Sequence, residues 1–170
     1  MSHSSSLFLL IGPPASGKST WTAKFLADKS AAGELRNTTI VSSDDVLEAW
    51  GREHGLSYAE AFARCDHKWV KAEVNRVFDE GMTRGDDIIV DRTNMTAKIR
   101  RSFLSRVPRT TRKIGIIFDV PRDVLNERLD RRARETGKFI PQSAIDEMLR
   151  IYSPPTEEEF DELRTIEYRA

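Results

Sequence analysis

The sequence predicts a three-layer α/β domain around a central parallel sheet of four to five strands, and two observations carry this. Short runs rich in Val, Ile and Leu recur along the chain with helical stretches between them. They lack the alternation of a sheet that faces water on one side, so helices should cover both faces. The first run, Leu7–Ile11, breaks into GPPASGKST. That segment matches the phosphate-cradling pattern G-x-x-x-x-G-K-[ST] and sits between a strand and a helix, as the pattern requires.

The loop contributes Gly12, Pro13, Pro14, Ala15, Ser16, Gly17, Lys18, Ser19 and Thr20 as a binding site for a nucleoside triphosphate. Gly12 and Gly17 permit backbone angles that turn N–H groups toward an anion. Lys18 has the reach for the β and γ oxygens, and Ser19 offers a hydroxyl to the Mg²⁺ that accompanies ATP. The helix predicted from Ser19 to Asp28 aims its positive dipole end at the same phosphates.

The second strand, Thr38–Ser42, runs into Ser42-Ser43-Asp44-Asp45. One of these aspartates caps the short helix Val46–Trp50, or one takes the proton of an acceptor hydroxyl beside a γ-phosphate; an adjacent pair allows both. A single long helix is predicted from Tyr58 to Thr83, opened by a Ser57–Glu60 capping box and closed by Gly81 and Gly85. Phe62, Trp69, Val70, Val74, Val77 and Phe78 form its core-facing stripe, with Cys65 as a small buried hydrophobe. The third strand, Asp87–Asp91, leads into Asp91-Arg92-Thr93-Asn94. Asp91 supports the metal shell or forms a turn, and Asn94 caps the next helix.

A basic helix, Ala97–Arg106, stops at Pro108, and the fourth strand is Lys113–Val120. The next helix starts at Pro121 and carries Arg128, Arg131, Arg132 and Arg134 within two turns. Arg128 and Arg132 share a face. Planar, permanently charged guanidinium groups suit the charge that builds on a transferring phosphoryl group. Glu135-Thr136-Gly137-Lys138 then reads as a mobile lid turn that closes these arginines over the nucleotide. The alternative is an exposed helix with local pairs to Glu127 and Asp130. A last helix lies between Pro141 and Pro154, and a weaker fifth strand at Arg164–Tyr168.

Composition fits one globular domain over residues 1–170, with 1–6 as a flexible, serine-rich start. Hydrophobic residues make up 39% and charged residues 32%, too apolar for a disordered chain. No apolar run has the length of a membrane span. The single cysteine excludes an internal disulfide and points to a reducing, cytoplasmic setting. The three histidines, His3, His54 and His67, are read as surface residues. The net charge is zero, but Arg92–Lys113 holds eight basic residues and no acid, while Glu157–Glu167 holds six acids and one arginine. The basic block is either a phosphate-backbone surface or a set of charges balanced by acids elsewhere in the fold.

GPPASGKSTW, SSDD, DRTN and FDVP…ERLDRRARETGKFIP, in this order, resemble the phosphate-loop 5′-hydroxyl polynucleotide kinases, the kinase domains of phage and bacterial end-healing enzymes. The likeness covers roughly Leu7 to Ile151. It implies an adenylate-kinase-like fold with an arginine-bearing lid, ATP and Mg²⁺ as donor and cofactor, and a 5′-OH end of DNA or RNA as acceptor. Lys18 would hold the β and γ phosphates and Ser19 the metal. Asp44 would be the general base, Asp91 would support the acceptor or metal network, and Arg132 would be the lid arginine on the transferring phosphoryl group; Arg128, on the same helix face, is a candidate for binding the nucleotide. A fused phosphatase is not expected in 170 residues. The chain departs from the family at Leu47, where an arginine usually grips the acceptor's phosphate; Arg52, Arg64, Lys68 and Arg92 are the candidate replacements. Two other readings stay open: a small-molecule or nucleotide-sugar kinase of the same fold, like the toxin kinases, and an ATP-binding switch without transfer.

Overall fold

Alternate side chains of the first strand enter two different cores. The structure, a computed structural model, describes residues 5–169. Leu7, Leu9 and Ile11 pack with Val41, Val74, Phe78 and Phe103 on one face of the sheet. Phe8 and Leu10 pack with Ile116, Phe118, Trp21 and Phe25 on the other. This two-sided burial is what the unalternating apolar runs require.

The described residues form β1 (Ser6–Ile11), α1 (Lys18–Ala31), β2 (Thr38–Val41), α2 (Ser43–Glu53), α3 (Tyr58–Arg64), α4 (His67–Arg84), β3 (Asp87–Val90), α5 (Ala97–Leu104), β4 (Arg112–Asp119), α6 (Arg122–Thr136), α7 (Gln142–Arg150) and β5 (Glu162–Glu167). The five strands run in the order β2-β3-β1-β4-β5, all parallel. Val41 pairs with Val90 and Ile11 with Ile117, so the segments after β1, β2 and β3 leave the sheet side by side at one edge. In open parallel sheets that edge is where ligands bind.

Several sequence expectations change. The long helix is two helices. Cys65 is extended, with φ −71° and ψ 142°, and the Asp66 carboxylate accepts from the Lys68 N–H at 2.8 Å to start α4. The break re-phases the chain, so the stripe read across it is not one face. Val70, Val74, Phe78 and Cys65 are buried, but Phe62 is 51% and Trp69 40% exposed. Ser42, not an aspartate, caps α2 by accepting from the Asp45 N–H, and Thr96, not Asn94, caps α5. The start is ordered earlier than expected: Ser6 begins β1, and the Ser5 carbonyl accepts from the Arg112 N–H at 3.0 Å. Met1 to Ser4 of the expected flexible terminus lie outside the described residues.

Three residues of the basic block pair with distant acids. Arg106 meets Asp79, Arg112 meets Glu162, and Arg100 is 0% exposed and meets Glu159. Arg112 and Lys113 start β4, at the end of the sheet opposite the phosphate loop. The block is therefore not one continuous surface, and Arg92 is its member on the cleft side.

Arg100 fastens the tail to the loop after β3. It donates to Glu159 through Nε at 3.0 Å and Nη2 at 2.9 Å, and to the carbonyls of Asn94 at 3.2 Å and Ser153 at 2.8 Å. Burial pushes the Glu159 carboxyl up, but the bonds from Arg100 and the Thr156 N–H outweigh it and leave the group below its ordinary value. A carboxylate depressed by folding contributes stability above its unfolded pKa and loses it as pH falls through the folded one. Thermal melts should show stability declining below about pH 4.5, and Glu159→Gln should flatten that decline.

Candidate active site

The phosphate loop opens from β1 because Gly12 leaves no room for a side chain. A Cβ there would stand 2.7 Å from Ser16 Oγ and 3.0 Å from Phe118 Cβ. Its N–H donates to the Thr93 carbonyl at 3.0 Å, which ties the loop to the segment after β3. Gly17, at φ +102°, takes the left-handed turn into α1. The Lys18 ammonium, 8% exposed, curls back onto the carbonyls of Gly12 at 3.0 Å and Pro13 at 2.7 Å. Burial lowers its pKa to about 8; the Asp91 carboxylate opposes the shift, the Arg132 guanidinium adds to it, and Asp44 opposes it.

The loop forms one wall of a cleft of about 1010 Å³, at the upper end of single-ligand pockets and large enough for a donor and an acceptor. Pro14 to Thr20 line it, with Asp44, Asp45, Asp91, Arg92, Arg128, Arg131 and Arg132. Gly12 and Pro13 lie beneath the loop and not on the cleft wall, and Arg134 is exposed outside it.

The second wall is α2 with α3. Asp44 is held at both oxygens: Tyr58 Oη donates to Oδ1 at 2.8 Å and Arg132 Nη2 donates to Oδ2 at 3.1 Å. Burial first, then the Asp44 carboxylate, pushes the Tyr58 hydroxyl well above its ordinary pKa, so it stays a donor at all working pH values. Asp45 lines the same wall, its carboxyl pushed up by burial and then by Glu48, Asp91 and Asp44. The turn read as a lid is fastened here: Lys138 pairs with Glu48 and its ammonium lies 4.5 Å from the centre of the Tyr58 ring. On the opposite side Arg128 donates to the Ala15 carbonyl at 3.4 Å and lies over the Tyr168 ring at 5.4 Å.

Ser19 Oγ donates to Asp91 Oδ2 at 2.8 Å. Among the described residues no group of three or more His, Cys, Asp or Glu gathers to hold a metal. Mg²⁺ needs no such cage, because one or two carboxylates plus substrate phosphates and water complete its shell. One hydroxyl against one carboxylate at the mouth of the loop fits that requirement. Asn94 serves the site indirectly. Its side-chain amide, fully buried, donates to the carbonyls of Leu10 at 2.7 Å and Val90 at 3.3 Å, stitching the ends of β1 and β3 together.

Sequence reasoning missed Tyr58, Glu48 and Tyr168. The Ser57–Glu60 capping box marked the start of α3, but nothing local told which group the hydroxyl one residue on would meet. Lys138 stood in the segment read as a lid, without a partner assigned.

A parallel five-stranded sheet, a phosphate loop after its central strand and an arginine helix crossing to the neighbouring wall make this a phosphate-loop kinase fold. Residues 7–155 match the model of an AAA domain family, and the chain belongs to that family. It is similar to a protein of the Pnkp1/Rnl/Hen1 RNA repair complex, at 23% identity and TM-score 0.66 over 88% of this chain and 44% of that one. It is similar to Chaetomium thermophilum Kti12 in complex with ADP-AlF3, at 14% identity and TM-score 0.65 over 95% and 89%. Shikimate kinase from Acinetobacter baumannii matches at 20% identity and TM-score 0.60 over 99% and 86%. The chain thus spans less than half of the repair-complex protein it matches. At these identities the likeness establishes the fold alone. Among the described residues, no helix is long and apolar enough to cross a membrane.

Proposed function

We propose that this protein transfers the γ-phosphoryl group of ATP to the 5′-hydroxyl end of a nucleic acid. The observation that carries the reading is the Asp44 carboxylate, anchored by Tyr58 and Arg132 in the cleft that the phosphate loop lines. The polynucleotide-kinase resemblance assigns the general base to this aspartate.

In this reading the loop amides and the N-terminus of α1 bind the β and γ phosphates. Lys18 gives up the Gly12 and Pro13 carbonyls for phosphate oxygens. Ser19, with Asp91 beside it, would hold Mg²⁺, which would supply charge neutralisation at those oxygens. The acceptor hydroxyl hydrogen-bonds to Asp44, which takes its proton as the oxygen attacks phosphorus in line and the bond to the β-phosphate oxygen breaks, releasing ADP. Arg132 exchanges Asp44 for the transferring phosphoryl group and offsets its charge. Arg128, stacked on Tyr168, covers the nucleotide on the other side of the loop. Lys18→Ala is expected to weaken both nucleotide binding, read by calorimetry, and transfer.

A small-molecule kinase is the second reading. Leu47 favours it: the residue is 3% exposed and packed in the core, so α2 offers no cation to an acceptor phosphate at that position. Ionic strength separates the two. A single-stranded acceptor loses affinity with a slope of about −0.7 per neutralised phosphate on a log–log plot, whereas a neutral sugar shows a flat response. A steep salt dependence of the acceptor KM supports the nucleic acid; a flat one together with transfer to a sugar overturns it.

A further inference from the structure

We infer that Phe62 and His67, next to Tyr58, form a stacking track along which the first bases of a single-stranded acceptor leave the cleft. The inference rests on the polynucleotide reading and assigns the part of the substrate beyond the reacting hydroxyl.

The sheet order separates two sides of the phosphate loop. β4, β5 and Tyr168 lie to one side, and β2 with α2 and α3 to the other. Arg128 and Tyr168 occupy the first side and Asp44 the second. A hydroxyl seated at Asp44 therefore lies on the α2–α3 side, where Tyr58 of α3 meets the same carboxylate, and the proposal takes the rest of the acceptor over α3.

There the aromatic rings follow one another outward. The Tyr58 hydroxyl is on Asp44, its ring centre is 6.4 Å from that of Phe62, and Phe62 is 4.8 Å from the ring of His67. Single exposed hydrophobes on a surface need no explanation. A succession of rings that begins at the candidate base and ends in solvent is different: the Tyr58 ring is half-buried under the Lys138 ammonium, while the exposed Phe62 and His67, which meet edge-on, leave ring surface open to a base.

The charges around the track suit a phosphate backbone. Glu60 accepts from the Ser57 N–H and hydroxyl, and Asp66 accepts from the Lys68 N–H, so both acids cap helices. Arg64 interacts electrostatically with the Glu60 carboxylate without a close ion pair, Lys68 enters no ion pair or side-chain hydrogen bond among the described residues, and both stand on this side where phosphates would pass. With Leu47 buried, stacking on α3 replaces the grip that α2 lacks. Base–aromatic stacking tolerates any sequence, so the track should bind single strands without strong base preference.

The test uses a 5′-hydroxyl hexathymidylate labelled at its 3′ end. Anisotropy reads its binding, and γ-labelled ATP reads transfer to it. Phe62→Ala and Phe62→Leu are both expected to weaken binding about tenfold, because leucine keeps apolar area but no ring face. The KM for ATP and for thymidine 3′-monophosphate, which is too short to reach Phe62, should not change. Phe62 is half exposed, so neither variant should disturb folding, which a melt checks. Unchanged hexathymidylate binding in Phe62→Ala overturns the track, and if the wild type transfers phosphoryl to that oligonucleotide, the kinase reading survives alone. Weakened binding in Phe62→Ala with no wild-type transfer to any oligonucleotide leaves the track standing and overturns the kinase reading.

Discussion

Asp44→Asn is expected to bind ATP like the wild type and to lower kcat by roughly 10²- to 10⁴-fold, the range for loss of a general base. The amide keeps the shape and still accepts from Tyr58 Oη, so the hydrogen bond at Oδ1 survives and the second wall stays in place. What disappears is the ability to take a proton from the acceptor. Asp44→Ala should lose transfer equally and also leave Tyr58 and Arg132 without their partner. The comparison with Asp45→Asn decides which of the adjacent acids acts: Asp45 meets neither Tyr58 nor Arg132 and should cost far less. Transfer that persists in Asp44→Asn and collapses in Asp45→Asn would reassign the base. Calorimetry with ATP and steady-state kinetics with a 5′-hydroxyl oligonucleotide supply both readings.

Arg100→Met should be the most destabilising single change away from the cleft, by about 3–5 kcal/mol, because it leaves the Glu159 carboxylate without its buried partner. The guanidinium is fully buried and bridges Glu159, Asn94 and Ser153, so its loss also frees carbonyls from their donor. For a chain of this size the melting temperature should fall by about ten degrees. The double variant Arg100→Met/Glu159→Leu should recover part of the loss, since an apolar pair of similar volume removes the unpaired charge. Melts of the two variants and the wild type check this. No recovery in the double variant would mean that the carbonyl contacts, not the ion pair, dominate.

The readable parts of this protein were those set by local chemistry. Leu7 to Thr20 announced a strand, a loop and a helix, because each residue there answers a local need: apolar burial, glycine geometry, a lysine and a hydroxyl near an anion. The runs at Thr38, Asp87 and Lys113 announced buried parallel strands for the same reason. The placement of Asp44, Asp91 and Arg132 around one cleft follows from topology once the strands are assigned. What stayed hidden depended on partners far along the chain. Arg100 read as one charge in a basic block because Glu159 lies 59 residues on. Tyr58 read as the first residue of a helix because Asp44 is reached only when α3 packs on α2. The break at Cys65–Asp66 was masked by apolar residues that recur on both sides of it. Asn94 and Thr96 are both helix caps by residue type, with Asn the stronger, and the buried carbonyls of Leu10 and Val90 draw Asn94 inward.

The most direct measurement is transfer from γ-labelled ATP to a panel of 5′-hydroxyl oligonucleotides, the same oligonucleotides already 5′-phosphorylated, nucleoside 3′-monophosphates, and sugars. Label on the 5′-hydroxyl oligonucleotides, absent from the 5′-phosphorylated ones and lost in Asp44→Asn, is the expected result. Label on a sugar alone, or stoichiometric ATP binding with no labelled acceptor in the panel, would contradict it.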